Sequence, residues 1–155
     1  MTVLDFELKK PCEGEIGPKE FLAWGPLWAY HFNSKGEWVE GRQVRDADLM
    51  GQHAGIDIIC PIFTKVYAPC DMTILRAGSQ GRYGNRVLAQ AVKDPKPYLT
   101  FAHLSNWEVL PTYQLKEGDF FATTGCSGNV TAPHLHLQIE EQGEWPRKPM
   151  RPVFI

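Results

Sequence analysis

Two histidines lie one residue apart in the segment TAPHLHLQIE, residues 131–140. Residues i and i+2 of an extended strand project to the same face, so His134, His136 and Gln138 are expected to share one face. The leucines and isoleucine between them would share the other face, as the core side of a strand requires. Such a histidine pair fits two interpretations, a polar strand face or a metal or catalytic site.

A histidine and an aspartate four residues apart, His53 and Asp57, occur upstream in QHAGIDI. Imidazole and carboxylate groups both bind zinc, and a catalytic zinc site has three protein ligands and a water molecule. These two residues together with one histidine of the later pair would form such a set. Gly55 is expected to let the chain turn between the two ligands. The alternative is that Asp57 is a turn or cap residue and His53 a surface histidine.

A further candidate is His103, in TFAHLSNW, because on a strand it would take the place of an apolar residue on one face. It could equally be a buried histidine that is hydrogen-bonded for structural reasons. His31, in WAYHFN, has no partner at a recognisable spacing, and we expect it to be structural or exposed.

Six short apolar segments after residue 53 predict strands, some of them bent, and the glycines between them fit turns with positive φ. Strands that follow one another without intervening helices favour a mainly β fold, an antiparallel sheet folded over on itself with little helix. The predicted strand segments are GIDIICPIF, KVYAPCDMTILRAG, NRVLAQAV, YLTFAHL, DFFATTG and HLHLQIE.

One domain accounts for the chain of 155 residues, which contains neither an internal repeat nor a low-complexity tract. Residues 1–50 are predicted to be an irregular segment packed on the domain, and residues 51–141 its core. The proline-rich residues 142–155 are predicted to be an extended strip on the surface of the same domain.

The composition is that of a globular protein, with 43% hydrophobic and 22% charged residues. A formal net charge of −2 without a basic cluster argues against nucleic acid as a partner. No segment approaches the ~18 apolar residues of a membrane span, and the first residues lack the pattern of a secretory signal. The four cysteines include no Cys-x-x-Cys pair; a Cys60–Cys70 disulfide is one of several pairings, and buried free thiols are the expectation.

Four motifs, HAGID, GRYGNRV, FAHLS and APHLHLQI, follow one another between about residues 50 and 140. In this order they resemble the lysostaphin and LytM type zinc metallopeptidases, which cut the peptide cross-links of bacterial peptidoglycan. The resemblance implies that His53, Asp57 and His136 hold one zinc ion. It also implies that His103 and His134 are the two catalytic histidines, with a groove above the sheet that loops such as GSQGRYGN and GCSGNVTA enclose.

The function that this resemblance implies is zinc-dependent hydrolysis of peptidoglycan peptides. We expect His134 to act as the general base. Its partner could stabilise the oxyanion or protonate the leaving amine, and of these two roles we expect His103 to take the stabilising one. Without a secretory signal, the protein is expected to be a phage lysin released at lysis or a wall hydrolase carried on the virion; a bacterial enzyme in its mature form is the alternative. The alternative is a module without catalytic activity that binds peptidoglycan or holds a structural zinc ion.

Overall fold

The computed structural model describes residues 4–16, 22–24, 29–32, 38–42, 55–128, 132–143, 147 and 150–155. These residues form fourteen strands and one 3-10 turn, Gly81–Tyr83, and no α-helix. None of the described residues therefore belongs to a helix that could span a membrane. The strands are β1 (Asp5–Leu8), β2 (Glu15–Ile16), β3 (Leu22–Trp24), β4 (Ala29–Phe32), β5 (Trp38–Arg42), β6 (Ile56–Ile59), β7 (Lys65–Tyr67), β8 (Met72–Ser79), β9 (Asn85–Ala91), β10 (Tyr98–Trp107), β11 (Gln114–Leu115), β12 (Phe120–Thr124), β13 (His134–Glu140) and β14 (Arg151–Phe154).

Nine of the strands form one antiparallel sheet, in the order β11-β8-β9-β10-β13-β6-β2. Strand β12 pairs with the second half of β10 and with β7, so the sheet divides along β10. The predicted mainly β, antiparallel architecture is confirmed. Each of the six predicted segments contains a strand, and the bent segment KVYAPCDMTILRAG contains two, β7 and β8.

The two ends of the chain contain more regular structure than the sequence suggested. Residues 1–50, predicted to be irregular, include five strands of two to five residues each. Such strands are too short for their side-chain pattern to be recognised. The proline-rich end includes β14, which pairs in parallel with β1 and thereby joins both ends of the chain.

The core lies against one face of the main sheet. Strand β13 contributes Leu135, Leu137 and Ile139, which are fully buried. Phe101 of β10 and Phe121 of β12 meet edge to face in this core, with ring centroids 5.0 Å apart. The opposite face of β13 is left for the polar side chains.

The cysteines are free thiols. Cys12, Cys60 and Cys70 are buried, as expected, whereas Cys126 is exposed. Cys12 forms a hydrogen bond with Cys60, not with Cys70, and this bond is the main cause that lowers the pKa of Cys60 to about 6. The thiol that contacts Cys60 is therefore Cys12 and not Cys70, the partner that the sequence had suggested as one possibility.

Candidate active site

The polar face of β13 carries the predicted histidine pair. His136 and Gln138 are buried there, and His134 is partly buried at the start of the strand. The apolar side chains between them face the core, so the predicted division of this strand into two faces is confirmed.

Asp57 lies beside this face because β6 pairs with β13 in a register that sets Asp57 directly opposite His136. Directly paired residues of antiparallel strands project to the same side of the sheet. The Asp57 Oδ1 atom is 3.2 Å from His136 Nδ1 and 3.4 Å from His134 Nε2. One carboxylate oxygen therefore faces a nitrogen of each histidine.

Gly55 precedes this aspartate and is the first described residue of this segment, so the turn predicted between His53 and Asp57 stays a prediction. A Cβ atom at Gly55 would lie 2.3 Å from the Leu137 carbonyl oxygen. The absence of a side chain is needed because the backbone of residue 55 lies against β13.

His103 reaches the same face through a bulge in β10. Between the pairs Phe101↔Val87 and Leu104↔Asn85, β10 advances three residues and β9 only two. Strict alternation would direct His103 to the core side with Phe101. The extra residue and the left-handed φ of 62° at His103 change this direction. Its ring centroid then lies 4.9 Å from that of His134 and 6.0 Å from that of His136.

Each of the three imidazoles has one nitrogen opposite an oxygen that can only accept a hydrogen bond. His103 Nδ1 donates to the Ser127 carbonyl at 2.8 Å, and His134 Nδ1 donates to the Ala132 carbonyl at 2.8 Å. His136 Nε2 donates to Gln138 Oε1 at 3.1 Å. For His103, this acceptor places the proton of the neutral ring on Nδ1 and a lone pair on Nε2. His134 and His136 also have Asp57 Oδ1 beside their second nitrogen, at 3.4 and 3.2 Å. A metal ion bound at Asp57 would require their protons on His134 Nδ1 and His136 Nε2, with both lone pairs directed at Asp57.

The orientation of the Gln138 amide follows from its other contacts. Gln138 forms a hydrogen bond with the Glu140 carboxylate, which only the amide NH2 can donate. The Tyr83 hydroxyl donates to Gln138 Oε1 at 3.4 Å. The amide oxygen is therefore directed at His136, and the amide group links the His136 imidazole to the buried Glu140 carboxylate.

A metal ion fits between His136 and Asp57. With its proton on Nε2, neutral His136 presents the Nδ1 lone pair to a carboxylate oxygen 3.2 Å away. Two lone pairs at this distance repel each other unless a cation lies between them, either an added proton or a metal ion. Two ligands of a tetrahedral zinc ion, with bonds of ~2.1 Å, are ~3.4 Å apart. The observed separation of 3.2 Å is close to this value, and the Gln138 contact is the kind of hydrogen bond that orients a metal-binding histidine.

Burial also determines the charge of His103. Burial lowers its pKa to about 4, with the neighbouring imidazoles lowering it further and the Ser127 hydrogen bond acting in the opposite direction. His103 is therefore neutral near pH 7. Its Nε2 atom is a proton acceptor in this state.

Two glycine-containing loops pack together above His103. The Ser127 hydroxyl donates to the Leu104 carbonyl at 2.7 Å and accepts from the Asn85 backbone N–H at 3.0 Å. Gly84 has a φ of 63°, and a Cβ atom there would lie 2.4 Å from the Ser127 carbonyl carbon. This close contact positions the Ser127 carbonyl that holds His103.

The comparisons with known proteins agree with this geometry. Residues 51–149 match the model of Peptidase family M23. The chain belongs to this family. The DD-carboxypeptidase/endopeptidase Mpg of Neisseria meningitidis is 31% identical to it over 103 residues, which are 66% of this chain and 22% of that protein. The chain thus spans about a fifth of the length of such relatives.

Solved structures of M23 peptidases share the fold. The catalytic domain of lysostaphin from Staphylococcus simulans superposes with a TM-score of 0.62 at 23% identity, over 84% of this chain and 83% of that one. A zinc containing peptidase from Vibrio cholerae superposes with a TM-score of 0.57 at 19% identity, over 79% and 45% of the two chains. The resemblance to the lysostaphin type seen in the motifs is confirmed.

For this M23 chain, the structure brings together four of the five predicted site residues, Asp57, His103, His134 and His136. The fifth, His53, lies outside the described residues, as do the surroundings of the His31 side chain. Within the described part of the chain, no three or more metal-binding side chains form a complete ligand set. The division of the five residues into ligands and catalytic groups stays a prediction.

Tyr83 and Ser127 were not among the predicted site residues. Both lie in the glycine-containing segments that we expected to border the groove. Glycines indicate where backbones come close, but they do not identify the neighbouring residue whose hydroxyl or carbonyl contacts a histidine.

Proposed function

We propose that this M23 chain is a zinc-dependent endopeptidase that hydrolyses the peptide cross-links of bacterial peptidoglycan. The observation that carries the proposal is the Nδ1 atom of His136 directed at Asp57 Oδ1, while Gln138 accepts the proton of Nε2. Membership of the family supports the peptidase activity, and the printed name of Mpg supports a peptidoglycan substrate.

His53, Asp57 and His136 would hold the single zinc ion. When bound, zinc would act as a Lewis acid that polarises the scissile carbonyl and lowers the pKa of a bound water molecule to about 7. Gln138 keeps the His136 ring in the tautomer whose Nδ1 lone pair can bind the metal.

His134 is suited to be the general base. Its Nδ1–H is held by the Ala132 carbonyl, so its Nε2 lone pair faces the side of Asp57. The side chain is 14% exposed, which leaves it accessible to water and substrate. A histidine in this state can accept the proton of the attacking water near neutral pH.

His103 is neutral and accepts at Nε2, so it has no N–H to offer an oxyanion at the start of the reaction. In place of the stabilising role that we expected for it, we therefore propose the transfer of a proton to the leaving amine. This role requires His103 first to gain a proton at Nε2, and the adjacent His134 ring is the nearest imidazole that can provide it.

The proposed place of action is the bacterial cell wall, and we propose a phage lysin or a virion-associated wall hydrolase. The place of action follows from the substrate. The origin rests on the sequence-based expectation alone. Proteomic detection of the chain in purified virions would separate the two phage alternatives.

Mass spectrometry of purified peptidoglycan after incubation with the protein tests the activity. We expect new free amines on stem or bridge peptides, their loss with a zinc chelator, and their recovery when zinc is added back. The Asp57→Asn variant serves as a control for a contaminating hydrolase. Peptides that stay intact across several wall types, although the zinc-loaded protein binds the wall, would establish the binding module instead.

A further inference from the structure

The face of the sheet that carries the histidines also carries two arginines on its distant strands. Gln138 pairs with Thr100, Thr100 with Leu88, and Leu88 with Arg76, so all four project to the same side. Arg86 precedes Leu88 by two residues on β9 and shares this side. Strands are ~4.8 Å apart, which puts Arg86 about 10 Å and Arg76 about 14 Å from β13.

Arg86 is connected to the site through Tyr83. Its guanidinium lies over the Tyr83 ring, 5.5 Å from the ring centroid, and it donates a hydrogen bond to Gln80. The Tyr83 ring centroid is in turn 6.1 Å from that of His136. The Tyr83 ring thus contacts both the Arg86 guanidinium and the His136 imidazole.

Positive charge is in excess around Arg86. Arg76 and Arg147 are its cationic neighbours, and Glu140 is the anionic one. Arg147 lies over the Tyr98 ring at 4.4 Å, and Tyr98 is paired with Glu140. Two of these three guanidinium groups, those of Arg86 and Arg147, also interact with the Glu140 carboxylate, which is itself largely buried. The cluster of Arg76, Arg86 and Arg147 carries a surplus of two positive charges, although the whole chain has a formal net charge of −2.

Burial and the two other arginines lower the pKa of Arg86, against the opposite effect of Tyr83 and Glu140. Like charges that are partly removed from water repel one another until an anion binds. A guanidinium group binds a carboxylate through two parallel hydrogen bonds, and its planar shape suits this anion particularly well.

We propose that the cluster of Arg76, Arg86 and Arg147 is a subsite for a carboxylate group of the cross-link peptide. This inference rests on the proposed peptidoglycan endopeptidase function. An extended peptide advances ~3.3 Å per residue, so a group bound at Arg86 is about three residues from the scissile bond. The substrate class is therefore the stem peptides that bear free carboxylates, cross-linked from D-alanine to a diaminopimelyl residue, in preference to neutral oligoglycine bridges.

Three defined substrates test the subsite. They are a D-alanyl-diaminopimelyl cross-linked dimer with free carboxylates, the same dimer with its carboxylates amidated, and an oligoglycine peptide. For the zinc-loaded protein we expect kcat/KM to be about tenfold higher for the free-acid dimer than for the amidated one, since charge-assisted hydrogen bonds are lost on amidation. The ratio should fall as salt screens the charges.

The variant Arg86→Gln should reduce this ratio to about one, through a higher KM for the free-acid dimer. Arg76→Gln, at an exposed position, should reduce it about threefold without any risk to the fold. Lys116→Gln removes an exposed positive charge far from the cluster and should leave the ratio unchanged.

Equal cleavage of the two dimers, faster cleavage of oligoglycine, or arginine variants that behave as Lys116→Gln would overturn the subsite and leave the endopeptidase function intact. If the protein cleaves none of the three substrates and no cross-link in whole peptidoglycan, the proposed function itself is overturned.

Discussion

Replacing Gln138 with leucine should weaken zinc binding, although Gln138 is not a predicted ligand. Leucine has a similar volume and preserves the buried site, but it offers no acceptor for the His136 Nε2–H, which now donates to Gln138 at 3.1 Å. In the protein without metal, the His136 ring can rotate to find another partner. With Nδ1 bound to zinc the ring is fixed, and the buried N–H is left without an acceptor.

The size of the effect follows from this difference between the metal-free protein, in which the N–H can find another acceptor, and the zinc-bound protein, in which it cannot. A buried donor without an acceptor costs about 1–3 kcal/mol, which corresponds to a factor of about 5 to 150 in affinity. Changes to groups that orient a metal ligand cost about 10- to 100-fold. We therefore expect the dissociation constant for zinc to rise by about 10- to 100-fold in Gln138→Leu.

Competition with a chromogenic chelator measures this constant, and thermal unfolding of the metal-free protein shows whether the variant is folded. Tyr83→Phe is the matched control. It removes the long 3.4 Å hydrogen bond to Gln138 Oε1 but keeps the acceptor for His136, so it should change zinc affinity by less than about threefold. Gln138→Glu keeps an acceptor for His136 and should retain tight zinc binding. The new carboxylate would lie beside that of Glu140, and the repulsion between them should lower the melting temperature. A folded Gln138→Leu variant that binds zinc within twofold of the unchanged protein would refute the reasoning.

Three further predictions concern the site and its support. Asp57→Asn should lose zinc on dialysis, with an affinity at least about 100-fold lower, whereas metal retained at full occupancy would remove Asp57 from the ligand set. His103→Ala and His134→Ala should keep zinc but lose about 10²- to 10⁴-fold in kcat/KM on a defined cross-linked peptide; zinc loss from either would contradict its catalytic role. Gly84→Ala should lower the free energy of unfolding by about 1–3 kcal/mol because of the positive φ at Gly84 and the clash with Ser127, and urea denaturation with an unchanged midpoint would count against this contact.

The sequence predicted those parts of the site that depend on local pattern. The two-residue period of β13 assigned His134 and His136 to one face, and that assignment is confirmed. The pairing of Asp57 with His136 depends on a register between strands 79 residues apart, which no local pattern determines. The resemblance to a family, not the spacing of residues, linked Asp57 to that histidine.

The contacts that orient the imidazoles were beyond reach for a different reason. Gln138 was expected on the correct face, yet its hydrogen bond to His136 depends on side-chain torsions and on Glu140. Ser127 holds His103 through its backbone carbonyl, and a backbone carbonyl is the same for every residue type. The short strands near the start of the chain were missed because two to five residues do not establish a period.

The bulge at His103 explains how three imidazoles share one small volume. Phe101 and Leu104 are both fully buried in the core although they are three residues apart, which strict alternation does not permit. The extra residue in β10 lets both reach the core and turns His103 to the opposite face, beside His134. Beyond this point β10 leaves β13 and pairs with β12. A left-handed conformation at a residue other than glycine costs about 1–2 kcal/mol, and no glycine marks the position in the sequence. The hydrogen bond from His103 to Ser127 and the burial of Leu104 offset this cost, which couples the direction of the His103 side chain to the packing of the core.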